Sequence, residues 1–523
     1  MSSKSDKMEF QQVDIGKMLE QFHISDEARN NIEKEGLLPV GLIKRLRAAY
    51  PQYSNFSLKY DTIFTEKTIY SGLRGFHQIV EKLAEHGIEL NHIVEREFFI
   101  EVYRFLATKY FLNCIDWNNY EDDPLFHLVF PQPGMIAAEE VKKYEEATTA
   151  VEKREVVKAY QKKTNPHDGK QKLNKPWFIN DDGEVEILEG SQHKYPPVLL
   201  ILDKSTQSCF AYCTYCFRHA QVRGDEDMFV QRDIKQIHTY IKKNPEITDM
   251  LITGGDAAYM PNERLKEYVL PLIDDPELLN IRTVRIGSRA ITYQPELILS
   301  DKFNDTLELF RKLTDNGIQV VWMAHISTAR EILNPGAIAA IRRLRKYGVN
   351  IKSQSPIMNH FSLYTDENGK VDIDRSAQNW IDLANILAML GVGFHAMYFA
   401  RPTGEHHYFA ASLADISKIF NKIYRNLASL NRPSRYITMT SSAGKTSLIG
   451  TTEINGEKVF ALKFNEARNM EWIDEVYFGE YDENESVIEK LKPFGSDKYF
   501  YEDELEEIEN ELSEVLKTRK LKE

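Results

Sequence analysis

PPVLLILDKSTQSCFAYCTYCFRHA (residues 196–220) joins a short apolar run directly to three cysteines. Val198 to Leu202 carries no polar residue, as expected of a strand buried on both faces. Working outward, the same kind of run recurs as DMLITGGD (249–256), IRTVRIGSR (281–289), IQVVWMAH (318–325), VNIKSQSP (349–356) and VGFHAMYF (392–399). Helical stretches separate them. Strands alternating with helices imply parallel strands joined by crossovers. Polar residues gather where the runs end: Asp203, Gly254-Gly255-Asp256, Ser288-Arg289, His325, Gln354 and Arg401. Chemistry at the carboxyl ends of parallel strands is what a βα barrel presents. The expected fold is α/β, a partial (βα)6 TIM-like barrel, because the runs number six rather than eight.

The thiols Cys209, Cys213 and Cys216 follow C-x3-C-x2-C spacing, and Cys114 is the one other cysteine of the chain. Two readings compete. A structural zinc site needs four protein ligands, here completed by Cys114 or His219. A cubane iron–sulfur cluster can be held by three thiolates and leave one iron open. Four cysteines make no disulfide framework.

The 523-residue length exceeds what one core usually supports, so a large domain with appendages is expected. A net charge of -13 argues against a general nucleic-acid binder. MSSKSDKMEFQQVD at the start lacks an apolar signal region, and no apolar run is long enough to span a bilayer. The expectation is a cytoplasmic chain with neither nucleic-acid nor membrane partner.

Four segments are expected. Residues 1–190 are mainly helical, with Ile136 to Thr164 read as one solvated helix and 170–193 as an entering loop. Residues 191–405 form the barrel. Residues 406–470 include strands with an Asn455-Gly456 hairpin turn. Residues 471–523 form an acidic helical tail, with Leu505, Ile508, Leu512 and Val515 at helical spacing. That stripe is read as packing on its own domain.

HKYPPVLLILDKSTQSCFAYCTYCFRHA, LITGGD, VRIGSRA, WMAHIS, SQSPIMN and SSAGKT stand in an order that resembles the lysine 2,3-aminomutase family of radical S-adenosylmethionine (SAM) enzymes. The likeness runs from about Asp123 to Thr446. The resemblance implies a barrel of the radical SAM type with a C-terminal α/β extension. It implies that Cys209, Cys213 and Cys216 hold a [4Fe–4S] cluster whose open iron takes SAM, yielding a 5′-deoxyadenosyl radical on reduction. Gly254, Gly255, Asp256, Ser288, His325 and Gln354 match positions around SAM. Lys445, expected on a flexible loop of small residues, matches the lysine that forms a Schiff base with pyridoxal 5′-phosphate, and Tyr398 a position near the cofactor ring. AGKT also ends a Walker A motif, but that motif needs a glycine where Met439 stands. Arg218 matches the arginine that pairs with the substrate α-carboxylate.

The likeness breaks at two places. The family's two aspartates for the lysine side chain align with Arg401 and Thr438, and no cysteine follows Cys216 to supply the family's structural zinc site. A cation in place of a carboxylate repels lysine and suits an anionic or hydrogen-bond-accepting end. The expected activity is therefore a 2,3-aminomutase, an isomerase that moves the α-amino group of an amino acid other than lysine, a glutamate-like one included, to the β carbon. The alternatives are a different reaction of the same branch and a non-catalytic zinc module. The expected partners are the amino acid and a reductant such as flavodoxin or ferredoxin; self-association stays open.

Overall fold

The computed structural model describes residues 14–53, 62–164, 170–224 and 229–520. The opening stretch used for the signal-region reading lies almost wholly outside these residues, and the end of the acidic tail does too.

Six strands run parallel in sequence order: β1 (Val198–Leu202), β2 (Asp249–Thr253), β3 (Thr283–Gly287), β4 (Gln319–Ala324), β5 (Asn350–Ile357) and β6 (Gly393–Phe399). Register is continuous, from Val198 opposite Asp249 and Asp249 opposite Thr283 to Thr283 opposite Gln319. Between them lie α1 (Ile234–Lys243), α2 (Asn262–Val269), α3 (Asn304–Asp315), α4 (Pro335–Lys346) and α5 (Ile373–Leu390). Each strand neighbouring its successor is the order of a singly wound barrel wall, so the (βα)6 expectation holds.

Local chemistry explains the crossovers. Side chains of Asp233, Asn334 and Asp372 accept the free amides that open α1, α4 and α5. Their apolar faces then bury Ile237 and Ile241 on α1, Ile338 and Ile341 on α4, and Trp380 and Leu383 on α5. Each such side chain contributes roughly 1.5–3 kcal/mol when fully buried.

Beyond the barrel, α6 (Leu413–Asn426) leads to β7 (Ile437–Thr440), which continues the parallel order through Tyr398 opposite Thr438. Then β8 (Gly444–Ile454), β9 (Glu457–Ala467) and β10 (Val476–Glu480) extend the sheet antiparallel, giving eleven strands with Ser191–Tyr195 at the other edge. Asn455 and Gly456 both have positive φ, 55° and 86°, as a two-residue hairpin turn requires.

Four expectations change. Ile136 to Thr164 is two helices, Ala138–Glu146 and Ala150–Lys163, because Thr149 and Glu152 form a reciprocal capping box that starts the second. The entering loop contains a strand pair, Trp177–Ile179 with Val185–Ile187. The tail is not helical throughout: it begins with β10 and only then forms α7 (Glu502–Lys520), whose Leu505 and Ile508 pack on the core as expected. Lys445 lies on β8 opposite Thr440, not on a flexible loop.

Candidate active site

The thiol loop is fastened from both sides. Toward the barrel, the amides of Gly255 and Asp256 donate to the carbonyl of Thr206 at 2.7 and 3.1 Å. Gly254 has φ +146°, and a Cβ there would lie 2.3 Å from Thr206 Oγ1. A Cβ on Gly255 would lie 2.5 Å from the Ser208 carbonyl and 3.0 Å from Cys209 Sγ. Only glycine permits that approach, which gives the Gly-Gly-Asp element its packing reason. Toward the N-terminal region, the amides of Tyr212 and Thr214 donate to the carbonyls of Leu106 and Leu128 at 2.8 and 3.0 Å.

Burial pushes the Cys216 thiol up to about 12 and raises that of Cys209 well above its ordinary value, and neighbouring sulfurs repel both further. Each of the three sulfurs therefore lies within electrostatic reach of the others. Among the described residues, no three His, Cys, Asp or Glu side chains converge on a single ion. A cubane is held through three different irons, so it asks for thiols gathered around a volume rather than a point. The donor set and its glycine cradle fit such a cluster. Cys114 lies elsewhere, buried beside Tyr110 and Arg330.

Asp256 is buried and accepts from the amides of Arg289 and Ala258 at 2.8 and 2.9 Å, and it is hydrogen-bonded to Ser288. Burial raises its carboxyl to about 6. His325 Nδ1 meets Tyr215 Oη at 3.2 Å, and burial drives its imidazole toward the neutral form. Asp203 serves the fold: it is fully buried, paired with Arg264 and hydrogen-bonded by Tyr268 at 2.8 Å. Gln354 sits inside β5 rather than at its end, where the register against β6 slips, and accepts from Tyr398 Oη at 3.2 Å. Burial pushes Tyr398 up to about 12.

A second group surrounds Lys445. Its Nζ pairs with Glu466 and lies 5.1 Å from the ring centre of Tyr195. Lys194 Nζ lies 5.5 Å from the same ring and donates to the Ser441 carbonyl. Burial first, then Arg468 and Arg401, push Lys194 down to about 7. Gly444 lets β8 approach β9, since a Cβ there would lie 2.3 Å from the Glu466 carbonyl. This buried excess of cations fits a phosphorylated aldehyde cofactor, with Lys445 as its amine.

Arg218 and Arg401 join the two groups. Both guanidinium carbons lie over Phe217, 5.4 and 5.0 Å from the ring centre. Arg218 donates to Thr253 Oγ1 at 2.7 Å and to the Gly254 carbonyl at 3.2 Å. Burial, then Arg401, push Arg218 down to about 10, and burial lowers Arg401 as well. Among the described residues no carboxylate pairs with Arg401. Thr438 is buried on β7 opposite Tyr398.

Reading the sequence missed Lys194, Tyr195, Phe217 and Glu466, and it noticed Arg289 only as a polar strand end. All but Glu466 lie within motifs already quoted, so the stretches were visible but not the side-chain directions. Glu466 is placed by the pairing of β8 with β9 opposite Lys445.

No family model matches the chain. An Aquifex aeolicus protein provisionally named L-lysine 2,3-aminomutase is 26% identical over 360 residues, covering 69% of this chain and 81% of that one. The L-lysine 2,3-aminomutase of Acetoanaerobium sticklandii is 35% identical over 123 residues, 23% of this chain and 28% of its own. The glutamate 2,3-aminomutase of Clostridioides difficile is 28% identical over 166 residues, 32% of this chain and 36% of its own. A radical SAM methyltransferase structure from Sphaerobacter thermophilus overlays with TM-score 0.31 at 12% identity, covering 69% of this chain and 93% of that one. At that level the overlay carries no argument, and the fold rests on strand order. No helix among the described residues is long and apolar enough to cross a membrane.

Proposed function

We propose, from the premise that this chain belongs at modest identity to the lysine 2,3-aminomutase-like radical SAM family, that it is an aminomutase for an amino acid with an anionic end. The observation that carries the substrate reading is the pair of half-buried guanidiniums, Arg218 and Arg401, flanking Phe217 between the thiol loop and Lys445. Named relatives include both lysine and glutamate enzymes, which supports the reaction class and leaves the substrate to this pocket.

Cys209, Cys213 and Cys216 would hold the [4Fe–4S] cluster, the Gly254 to Asp256 strand end with Ser288, His325 and Gln354 the SAM, and Lys445 the pyridoxal phosphate. When bound, these groups supply hydrogen abstraction and a carrier for the migrating nitrogen. The chain supplies the rest. Arg218 grips the α-carboxylate, and Arg401 faces the distal end; two fixed charges set where the β carbon sits. Glu466 pairs with Lys445 and fixes where its amine stands. The half-buried rings of Tyr195, Phe217 and Tyr398 narrow the access of water to a radical site. A one-electron donor protein of the flavodoxin or ferredoxin class would serve it.

Anaerobic reconstitution followed by incubation with aspartate, glutamate and lysine tests this. A β-amino acid from an acidic substrate is expected, with four irons per chain and reductive cleavage of SAM. Turnover of lysine alone refutes the pocket reading. SAM cleavage without any β-amino acid, unchanged in Lys445→Ala, favours a different reaction of the same branch. Bound zinc without iron favours a metal scaffold.

A further inference from the structure

Cys213 differs from the other two thiols in what surrounds it. Arg289 Nη1 donates to Cys213 Sγ at 3.1 Å, and Tyr293 Oη lies 3.1 Å from the same sulfur. Cys216 takes a backbone amide, that of Arg218. For Cys209 no side-chain donor stands among the described residues.

The guanidinium is held at both terminal nitrogens. Its Nη1 also donates to Tyr215 Oη at 2.8 Å, and its Nη2 pairs with Glu331. Its carbon sits 4.4 Å from the ring centre of Tyr293. The backbone amide of the same residue donates to Asp256. Glu331 is itself fixed by the amides of Ser327 and Thr328 at 2.6 and 3.2 Å. One cation therefore ties the strand ends after β2, β3 and β4 to a single sulfur. This goes beyond holding a loop, since a neutral side chain of similar size could do that.

We propose that Arg289 is a positioning residue that sets the reduction potential of the cluster through Cys213, with Tyr293 as a weaker second donor. The inference rests on the cluster assigned above. A donor on a cluster thiolate withdraws electron density, and a fixed positive charge in a low-dielectric site favours the more negative, reduced state. Both raise the potential, so a one-electron reductant fills the cluster more readily. The electron goes to the cluster, and Arg289 gains and loses no proton.

The test uses the full-length reconstituted protein and reads iron content together with the midpoint potential. Potentials come from electron paramagnetic resonance during titration with dithionite, without SAM or substrate. Wild type, Arg289→Gln, Arg289→Lys and Tyr293→Phe are compared. All should hold four irons. At a fixed solution potential, Arg289→Gln should lower the ratio of reduced to oxidised cluster about tenfold or more, a shift of about 59 mV for one electron. Arg289→Lys should restore most of that shift, and Tyr293→Phe should move less in the same direction. A full cluster with unmoved potential in Arg289→Gln overturns the inference and leaves the proposed function standing. Loss of iron from both Arg289 variants overturns it as well, by showing a purely structural tie. A wild-type chain that takes up no iron overturns the proposed function, and this inference with it.

Discussion

On the proposed function, Arg401 decides the substrate by sign. It is enclosed, charged, stacked on Phe217 and faces Tyr195 and Tyr398. Arg401→Asp reverses the field at the distal end. Breaking a buried ion pair costs about 3–5 kcal/mol. For the acidic substrate kcat/KM should therefore fall at least about 100-fold, mostly in KM, because Arg401 does not touch the migrating nitrogen. Steady-state kinetics with each amino acid checks this; an unchanged KM would remove Arg401 from the pocket. Lys194 gives a pH signature. Its folded value, about 7, lies below the ordinary 10.5. Between those values the unfolded chain binds the extra proton, so the cost of burial is full below about pH 7 and is relieved as pH rises. The cofactor-free protein should become more thermostable from about pH 7 to about pH 9, and Lys194→Met should flatten that rise in Tm. Arg401 was legible as a charge in the wrong place for lysine. Lys194 was not, because burial of a lysine depends on Arg468 and the 441–444 turn, which lie far along the chain.

On the proposed function, the elements divide the two cofactor sites, and two glycines mark the division. At the end of β2, Gly254 combines φ +146° with contact against Thr206; at the start of β8, Gly444 admits the Glu466 carbonyl. An alanine at either position forces backbone apart, at about 1–3 kcal/mol for strain of this kind. Gly254→Ala should lower iron content and spare pyridoxal absorbance. Gly444→Ala should do the reverse, because it separates Lys445 from Glu466. Parallel iron analysis and visible spectra of the two variants check this, and equal loss of both cofactors in either would join the sites. Most of the parallel strands were readable because they are mainly apolar runs of strand length bounded by polar residues, whereas β5, NIKSQSPI, is largely polar. Gln354 was misplaced because the register slip between β5 and β6 leaves no local mark. The break in the 136–164 helix did leave one, Thr149-x-x-Glu152, and the charged run around it hid the signal. Lys445 looked loop-borne because Ser441 to Gly444 are small; pairing with Glu466 on a strand 21 positions later makes it rigid.

At the scale of the whole molecule, the helical N-terminal region is the outer half of the thiol loop's mounting. Leu106 and Leu128 carbonyls receive the amides of Tyr212 and Thr214, and His127 receives the Thr214 hydroxyl at 2.8 Å. The same region grips the barrel elsewhere. Asn31 donates to the Leu299 carbonyl at 2.9 Å, Glu35 pairs with Arg343, and Tyr103 donates to Glu405 at 2.7 Å. A loop that must hold three sulfurs apart at a fixed spacing cannot be stiffened by β1 alone, since it leaves the sheet after Leu202. The inner side is fastened to the barrel through Thr206, and the outer brace comes from residues that no cofactor motif marks. If that is its role, filling the site should stiffen both sides of the mounting together. Hydrogen exchange measured by mass spectrometry on iron-loaded and iron-free protein checks this. Removing the iron should speed exchange in 207–220, where Tyr212 and Thr214 donate, and in the braces around 104–130. The strands β4 and β5 on the far side of the barrel should change little. Faster exchange confined to the thiol loop would show that the N-terminal region only covers the site. Faster exchange throughout the chain would mean that the cluster supports the fold rather than the mounting.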